Sequence, residues 1–194
     1  MNIGPILIIN LESRTDRLKD VKAEMSAQGL PFFRFDAYTG GWRGCLKSHI
    51  EALTHIASTI KSGADNDSYG AVGEDDIVWK RPWKDIKNTV RQIQKKYKPD
   101  VIMISRTAVD LKPDTIPGAS RVVTALSGAL YLVKKSYATK LAHYLQDHPH
   151  KPLDITWQAL QKRDKWYTLT EKAVVQRPGF SDIENKVIDY DYLQ

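Results

Sequence analysis

Three adjacent carboxylates, Glu74-Asp75-Asp76, close a short apolar stretch that begins at Tyr69. Neighbouring anions repel, so a strand that delivers three of them to one point calls for a cation. Hard divalent ions prefer oxygen ligands, and Mg²⁺ or Mn²⁺ usually bridges one or two carboxylates to substrate phosphates. An exposed acidic turn is the alternative without chemistry. A second group is Asn10-Leu11-Glu12-Ser13-Arg14-Thr15-Asp16-Arg17, where an aliphatic run turns polar and opens a helix. Helix N-termini and arginine forks both favour phosphate, while a capping role for Ser13 and Asp16 with solvated arginines accounts equally well for the same residues. The third group is Gly41-Trp42-Arg43-Gly44-Cys45-Leu46-Lys47-Ser48-His49. Its glycines permit close backbone approach to a ligand, and Lys47, Ser48 and His49 at a helix start could bind phosphate or sugar hydroxyls. Taken singly, His49 reads as a packed, hydrogen-bonded histidine and Cys45 as a small buried residue, since no base beside the thiol suggests a nucleophile.

The elements that must carry these residues alternate between strand and helix. A continuous aliphatic run predicts a buried strand over 5–11, and Leu18, Val21 and Met25 at helical spacing predict a helix capped by Ser13 and stopped by Gly29 and Pro31. A second strand covers 32–35, a glycine-rich loop 36–41, and a second helix 46–60. After a turn at 63–68 comes a strand over 69–72, then a helix over 83–97 and a strand over 101–104. The prolines and glycine at Pro113, Pro117 and Gly118 predict a loop over 107–120. A strand over 125–133, helices over 136–145 and near 154–161, and a strand around 172–175 complete the chain. This order predicts an α/β layered fold with a mostly parallel central sheet flanked by helices, whose ligands gather at the carboxyl ends of the strands. Asp36 sits at one such end and is a candidate for placing a nucleoside, or an acid that organises the turn before Gly40.

The 194 residues are 42% hydrophobic and 27% charged, which excludes a disordered chain and fits a single domain over 1–194. With one cysteine, no intrachain disulfide forms. The apolar opening lacks a basic leader and no stretch reaches the length of a membrane span, so the expectation is a soluble, cytoplasmic protein. The formal charge of +6 suits an anionic ligand or peripheral membrane contact, but the basic residues are spread along the chain. The tryptophans are scattered rather than interleaved with a basic patch, and an acidic cluster would repel a phosphate backbone, so nucleic acid is not the expected partner.

In this order, Asn10-Leu11 with Arg14 and Asp16-Arg17, Gly44-Cys45 with Ser48-His49, and Glu74-Asp75-Asp76 resemble glycosyltransferase family 25. That family includes lipopolysaccharide sugar transferases and procollagen galactosyltransferases. Ser127-Gly128-Ala129-Leu130-Tyr131-Leu132-Val133, Pro152-Leu153-Asp154, and Gln176 with Ser181-Asp182-Ile183 are similar to its later motifs, so the resemblance spans nearly the whole chain. It implies a GT-A-like (nucleotide-diphospho-sugar transferase) fold, a UDP-sugar donor, a Mn²⁺ or Mg²⁺ cofactor, and inversion at the anomeric carbon. The donor side would occupy about 1–105 and the acceptor side and C-terminal motif about 106–194. In this resemblance Glu74 and Asp76 hold metal and ribose, and Asn10, Leu11, Arg14, Arg17, Asp36, Lys47, Ser48, His49 and Asp75 join Glu74 around the donor. No histidine follows His150, so Gln176 or water takes the place of the late histidine ligand of some GT-A enzymes.

The reaction implied is transfer of a hexose, galactose first and glucose next, to a hydroxyl of a glycan or glycoconjugate acceptor. Inversion in one displacement requires a base on the acceptor side, distinct from the carboxylates at the metal. Asp154 is the first candidate and Asp182 the reserve, with a helix N-cap as the other reading of Asp154. The rival from another class is a catalytically degenerate binding or scaffold module on the same fold.

Overall fold

The computed structural model describes residues 6–59 and 68–189. Its centre is an eight-stranded sheet. The strands are β1 (Ile6–Asn10), β2 (Phe32–Asp36), β3 (Tyr69–Glu74), β5 (Val101–Met103), β6 (Thr107–Pro113), β7 (Ala119–Leu126), β8 (Leu130–Lys134) and β9 (Trp166–Leu169), and they lie in the order β2-β1-β3-β8-β5-β9-β7-β6. β8 and β7 run against the other six, so the sheet is mostly parallel in direction, as the alternating pattern implied. Two small antiparallel pairs stand outside it: β4 (Ile77–Trp79) with β10 (Val174–Gln176), and β11 (Gly179–Ser181) with β12 (Lys186–Ile188).

Helices cover both faces, which is why β1 is aliphatic up to Asn10, and every one of its residues is buried. Ile6 and Ile8 point to one side with Val21 and Met25 of α1 (Thr15–Gln28) and Ile86, Val90 and Ile93 of α3 (Trp83–Tyr97). Leu7 and Ile9 point to the other, with Leu46, Leu53 and Ile56 of α2 (Gly41–Thr59) and Leu141 and Leu145 of α4 (Lys135–Asp147). Trp157, Trp166 and Tyr131 fill the second layer near α5 (Leu153–Thr156) and α6 (Gln158–Arg163), their rings meeting edge to face.

Several expectations are corrected. The span 107–120 is not a loop: β6 and most of a turn fill it, and β7 begins at its end. Pro113 is the last residue of β6, which lies at the sheet edge, where a missing N–H is tolerated. The strand expected over 125–133 is two strands, broken at Ser127, whose backbone is left-handed at φ 80°. The helix near 154–161 is split at Trp157 into α5 and α6. Ser13 does not cap α1; Arg14 holds the cap position and makes no side-chain cap hydrogen bond. Most of the expected turn at 63–68, the start of the first strand at Pro5 and the end of the second helix at Ile60 lie outside the described residues.

The correction that matters most concerns α2, which begins at Gly41 rather than Leu46. Lys47, Ser48 and His49 are therefore inside the helix, not at its free amides. The early start depends on Gly44, where a Cβ would overlap the carbonyl oxygens of both Tyr38 and Thr39. We expect Gly44→Ala to lower stability by about 1–3 kcal/mol, the usual cost of overpacking, while Gly179→Ala, with nothing within 4 Å of its Cβ position, stays near neutral. Urea midpoints of the two variants check this.

Candidate functional site

β1, β2 and β3 are parallel neighbours, so their carboxyl ends meet at one edge: Asn10 pairs with Asp36 and Ile9 with Glu74. β8 runs the other way, which brings its N-terminal approach, Ser127-Gly128-Ala129, to the same edge, and the Glu74 amide donates to the Ala129 carbonyl at 2.8 Å. The chain turns sharply after Glu74 through Asp75 and Asp76 into β4. β10 pairs with β4 in a register that sets Gln176 opposite Ile77, and the Arg177 amide donates to the Asp76 carbonyl at 2.6 Å. Gln176 thus arrives beside Asp76 from 100 residues away. Its amide nitrogen is 3.3 Å from Glu74 Oε2 and 3.4 Å from Asp76 Oδ2, and Ser127 Oγ is 3.5 Å from its oxygen.

The three acids have different surroundings. Asp75 Oδ2 accepts from the Asn10 side-chain amide at 2.7 Å and Oδ1 from Arg17 at 3.0 Å, and Asn10 in turn accepts from Arg34. Burial pushes the Asp75 carboxyl above the usual range, while Asn10 and Arg17 pull it back. Glu74 faces His49 Nε2 at 3.2 Å through Oε1. Asp76 is held by Arg17 only at 3.6 Å, and its Oδ1 is buried without a hydrogen-bond partner. Burial, then the charge of Glu74, raises its carboxyl to about 7.

These groups open into a cavity of about 330 Å³. Of the residues named from sequence, Leu11, Arg17, Ser48, His49, Glu74, Asp75, Asp76, Gln176 and Asp182 line it. Asn10 stands behind Asp75 rather than in the wall. Arg14 is also outside: its guanidinium is committed to Asp16 and to Asp182, the latter at 2.5 Å, so it is not free for phosphate. The Asp36 side chain is 83% exposed beside Arg34, away from the cavity. Lys47 is exposed with its ammonium 3.8 Å from the centre of the Tyr38 ring. Ser48 is occupied structurally, accepting the Tyr38 amide and donating to the Gly44 carbonyl, both at 2.8 Å.

Asp154 does not line the cavity, and it is not the cap of α5, a position held by Pro152. Its Oδ2 accepts the Ser127 amide at 3.2 Å. Burial, reinforced by Glu74, lifts its carboxyl above the ordinary value even with that amide bound. Residues 37–41, Ser181 and Ile183, read from sequence only as a glycine-rich loop and part of a terminal motif, also line the cavity, and Tyr131, read only as part of a small-residue strand, has its hydroxyl 3.1 Å from His49 Nδ1. Their contacts join residues far apart in the chain, which no local pattern reveals.

A divalent cation suits this arrangement. Glu74 and Asp76 supply hard oxygens at a fixed strand end, and the unpartnered Asp76 Oδ1 is a buried acceptor with nothing to accept from. Asp75, already bound on both oxygens, is not available to it. Among the described residues no helix is long and apolar enough to cross a membrane.

No family model and no curated protein matches this chain. Among solved structures it is similar to a protein described as a glucose-1-phosphate thymidylyltransferase from Bacillus anthracis in complex with sucrose, at TM-score 0.48 and 10% identity over 88% of this chain and 69% of that one. It is also similar to an apo UDP-glucose pyrophosphorylase (TM-score 0.49, 11% identity, 87% and 74% of the two chains). A third is a mannose-1-phosphate geranyltransferase from Thermus thermophilus (TM-score 0.42, 9% identity, 91% and 75%).

The raised Asp76 carboxyl has a definite sign in stability. Between about pH 4 and about pH 7 the folded protein keeps a proton that the unfolded chain has released, so stability is highest below that window and falls as pH rises through it. The expected slope is at most ~1.4 kcal/mol per pH unit. Denaturant melts of metal-free protein check it: Asp76→Asn flattens the loss, and a loss equally steep in Asp76→Asn overturns the assignment.

Proposed function

We propose that the chain is a metal-dependent glycosyltransferase of GT-A type that transfers a hexose from a UDP-sugar to a hydroxyl of a glycan or glycoconjugate. The observation that carries this reading is the pair Glu74 and Asp76, fixed at the end of β3 on the wall of a cavity and backed by Gln176, with one Asp76 oxygen lacking any partner. Mn²⁺ or Mg²⁺ bound there supplies positive charge to the diphosphate as it departs. The cavity beyond the carboxylates is lined by Ile9, Leu11 and residues 37–41, a partly apolar space suited to a nucleoside. Arg17, kept charged against burial by Asp76 and Asp75, reaches the same wall from the first turns of α1 and, bound to Asp75 and the Phe180 carbonyl, places positive charge beside the acids.

In the transfer, the acceptor oxygen forms its bond to the anomeric carbon as the bond from that carbon to the diphosphate oxygen breaks, and UDP leaves with the bonding pair. The acceptor proton passes to a carboxylate. Asp154 is assigned that role: its carboxyl is raised by burial and by the charge of Glu74 and is held by the Ser127 amide, on the β8 approach that meets Glu74. Asp182 lines the cavity but is ion-paired with Arg14, which keeps it in reserve.

Calorimetry with UDP tests the first part. Binding requires Mn²⁺, and Asp76→Ala removes that requirement along with most of the affinity; unchanged affinity and an unchanged Mn²⁺ response in the variant reject the metal assignment. For the second part, Asp154→Asn lowers transfer by about 10²–10⁴-fold and leaves UDP and Mn²⁺ binding unaltered. If turnover survives Asp154→Asn and is lost in Asp182→Asn, the base is Asp182.

A further inference from the structure

Cys45 and His49 are four residues apart on α2, so their side chains share one face of the helix. Glu74 meets that face from the end of β3. The Cys45 sulfur, a His49 ring nitrogen and a Glu74 carboxylate oxygen all lie within 4.8 Å of one another. His49 Nε2 and Glu74 Oε1 are already 3.2 Å apart. A tetrahedral zinc ion, with Zn–S near ~2.3 Å and Zn–N near ~2.0 Å, holds its ligand atoms roughly 3.3–3.8 Å from one another. Closing the remaining gap needs only a small side-chain adjustment.

The second ring nitrogen strengthens the case. His49 Nδ1 lies 3.1 Å from the hydroxyl of Tyr131, a buried residue whose ring stacks on the imidazole with centroids 5.8 Å apart. When Nε2 binds a metal, the ring proton sits on Nδ1, where the Tyr131 hydroxyl can accept it. Metal-bound histidines are held in this way by an outer partner. Gly128 makes the space: a Cβ there would approach His49 Cε1 to 3.3 Å and Glu74 Oε1 to 3.4 Å. All three residues line the cavity, so a fourth position faces its interior.

We propose that Cys45, His49 and Glu74 form a second metal site, selective for Zn²⁺, with water or a ligand atom from the cavity as the fourth donor. Thiolate and imidazole favour zinc over the hard ions suited to Glu74 and Asp76. On binding, the sulfur–zinc bond forms as the Cys45 thiol gives its proton to solvent. The two oxygens of Glu74 face in different directions, Oε1 to His49 and Oε2 to Gln176. Its carboxylate therefore stands between the two sites, and this coupling alone rests on the proposed glycosyltransferase reading.

Co²⁺ is the probe, titrated into reduced, metal-free, full-length protein. The expected result is a near-ultraviolet thiolate-to-cobalt charge-transfer band that saturates at one equivalent and is bleached by one equivalent of Zn²⁺. His49→Gln and Glu74→Gln each weaken Co²⁺ binding by about tenfold or more, and Tyr131→Phe keeps the band with a midpoint about tenfold weaker. Asp76→Ala retains the band, which separates this site from the Mn²⁺ requirement for UDP. Absence of the band in folded wild-type protein, or a midpoint unmoved in both His49→Gln and Glu74→Gln, overturns the proposal whatever the outcome with UDP.

Discussion

Negative charge brought out of water must be answered within a few ångströms, and three consecutive acids at the end of β3 impose that requirement on everything around them. Asp75 is answered by protein alone, through Asn10 and Arg17. Glu74 meets His49 and Gln176, neither of them an arginine or a lysine. Asp76 is answered least, and its carboxyl responds by holding its proton to about 7. The graded provision is what separates a structural acid from two that suit a cation. It also explains why distant elements converge here. α1 brings Arg17, α2 brings His49, and the pairing of β10 on β4 brings Gln176.

Much of the layered architecture was legible because burial on both faces writes itself as uninterrupted aliphatic runs. The strand at Ile6–Asn10 and the helix at Trp83–Tyr97 fell where the pattern put them. Elements that exist through pairing were not legible: β4, β9, β11 and β12 are only three or four residues long and are held by their neighbours in space. Glycine and proline misled in two places for opposite reasons. At Gly44 the missing Cβ serves close packing of a helix on a loop, and Pro113 ends an edge strand instead of interrupting one.

The site divides along the same line. Glu74 and Asp76 announce themselves because adjacent carboxylates after an apolar stretch are chemically conspicuous. Gln176 was reachable only through a resemblance, since nothing local distinguishes it. Lys47 and Asp36 were named for their position along the chain, yet one rests on the Tyr38 ring at the surface and Arg34 pairs with the other. Cys45, read as inert filler, gains its meaning from a histidine one turn along the helix and a carboxylate 29 positions later, a combination visible only in three dimensions.

The cavity has two unlike walls. On one side, the contact of Gly44 with the Tyr38 and Thr39 carbonyls welds the 37–41 segment to a helix of 19 residues. Beside it, with the Ile183 carbonyl 3.5 Å from where a Gly41 Cβ would stand, the β11–β12 hairpin carries Ser181, Asp182 and Ile183 and is tied back through Arg14 to Asp182 and through Arg17 to the Phe180 carbonyl. A vessel with one rigid side and one side on tethers adapts asymmetrically. Whatever fits against the rigid side is selected by shape, whereas bulk beyond it is accommodated by the hairpin. Sequence drift that alters which molecules the cavity accepts should therefore concentrate in 179–188, leaving the helix-backed face unchanged.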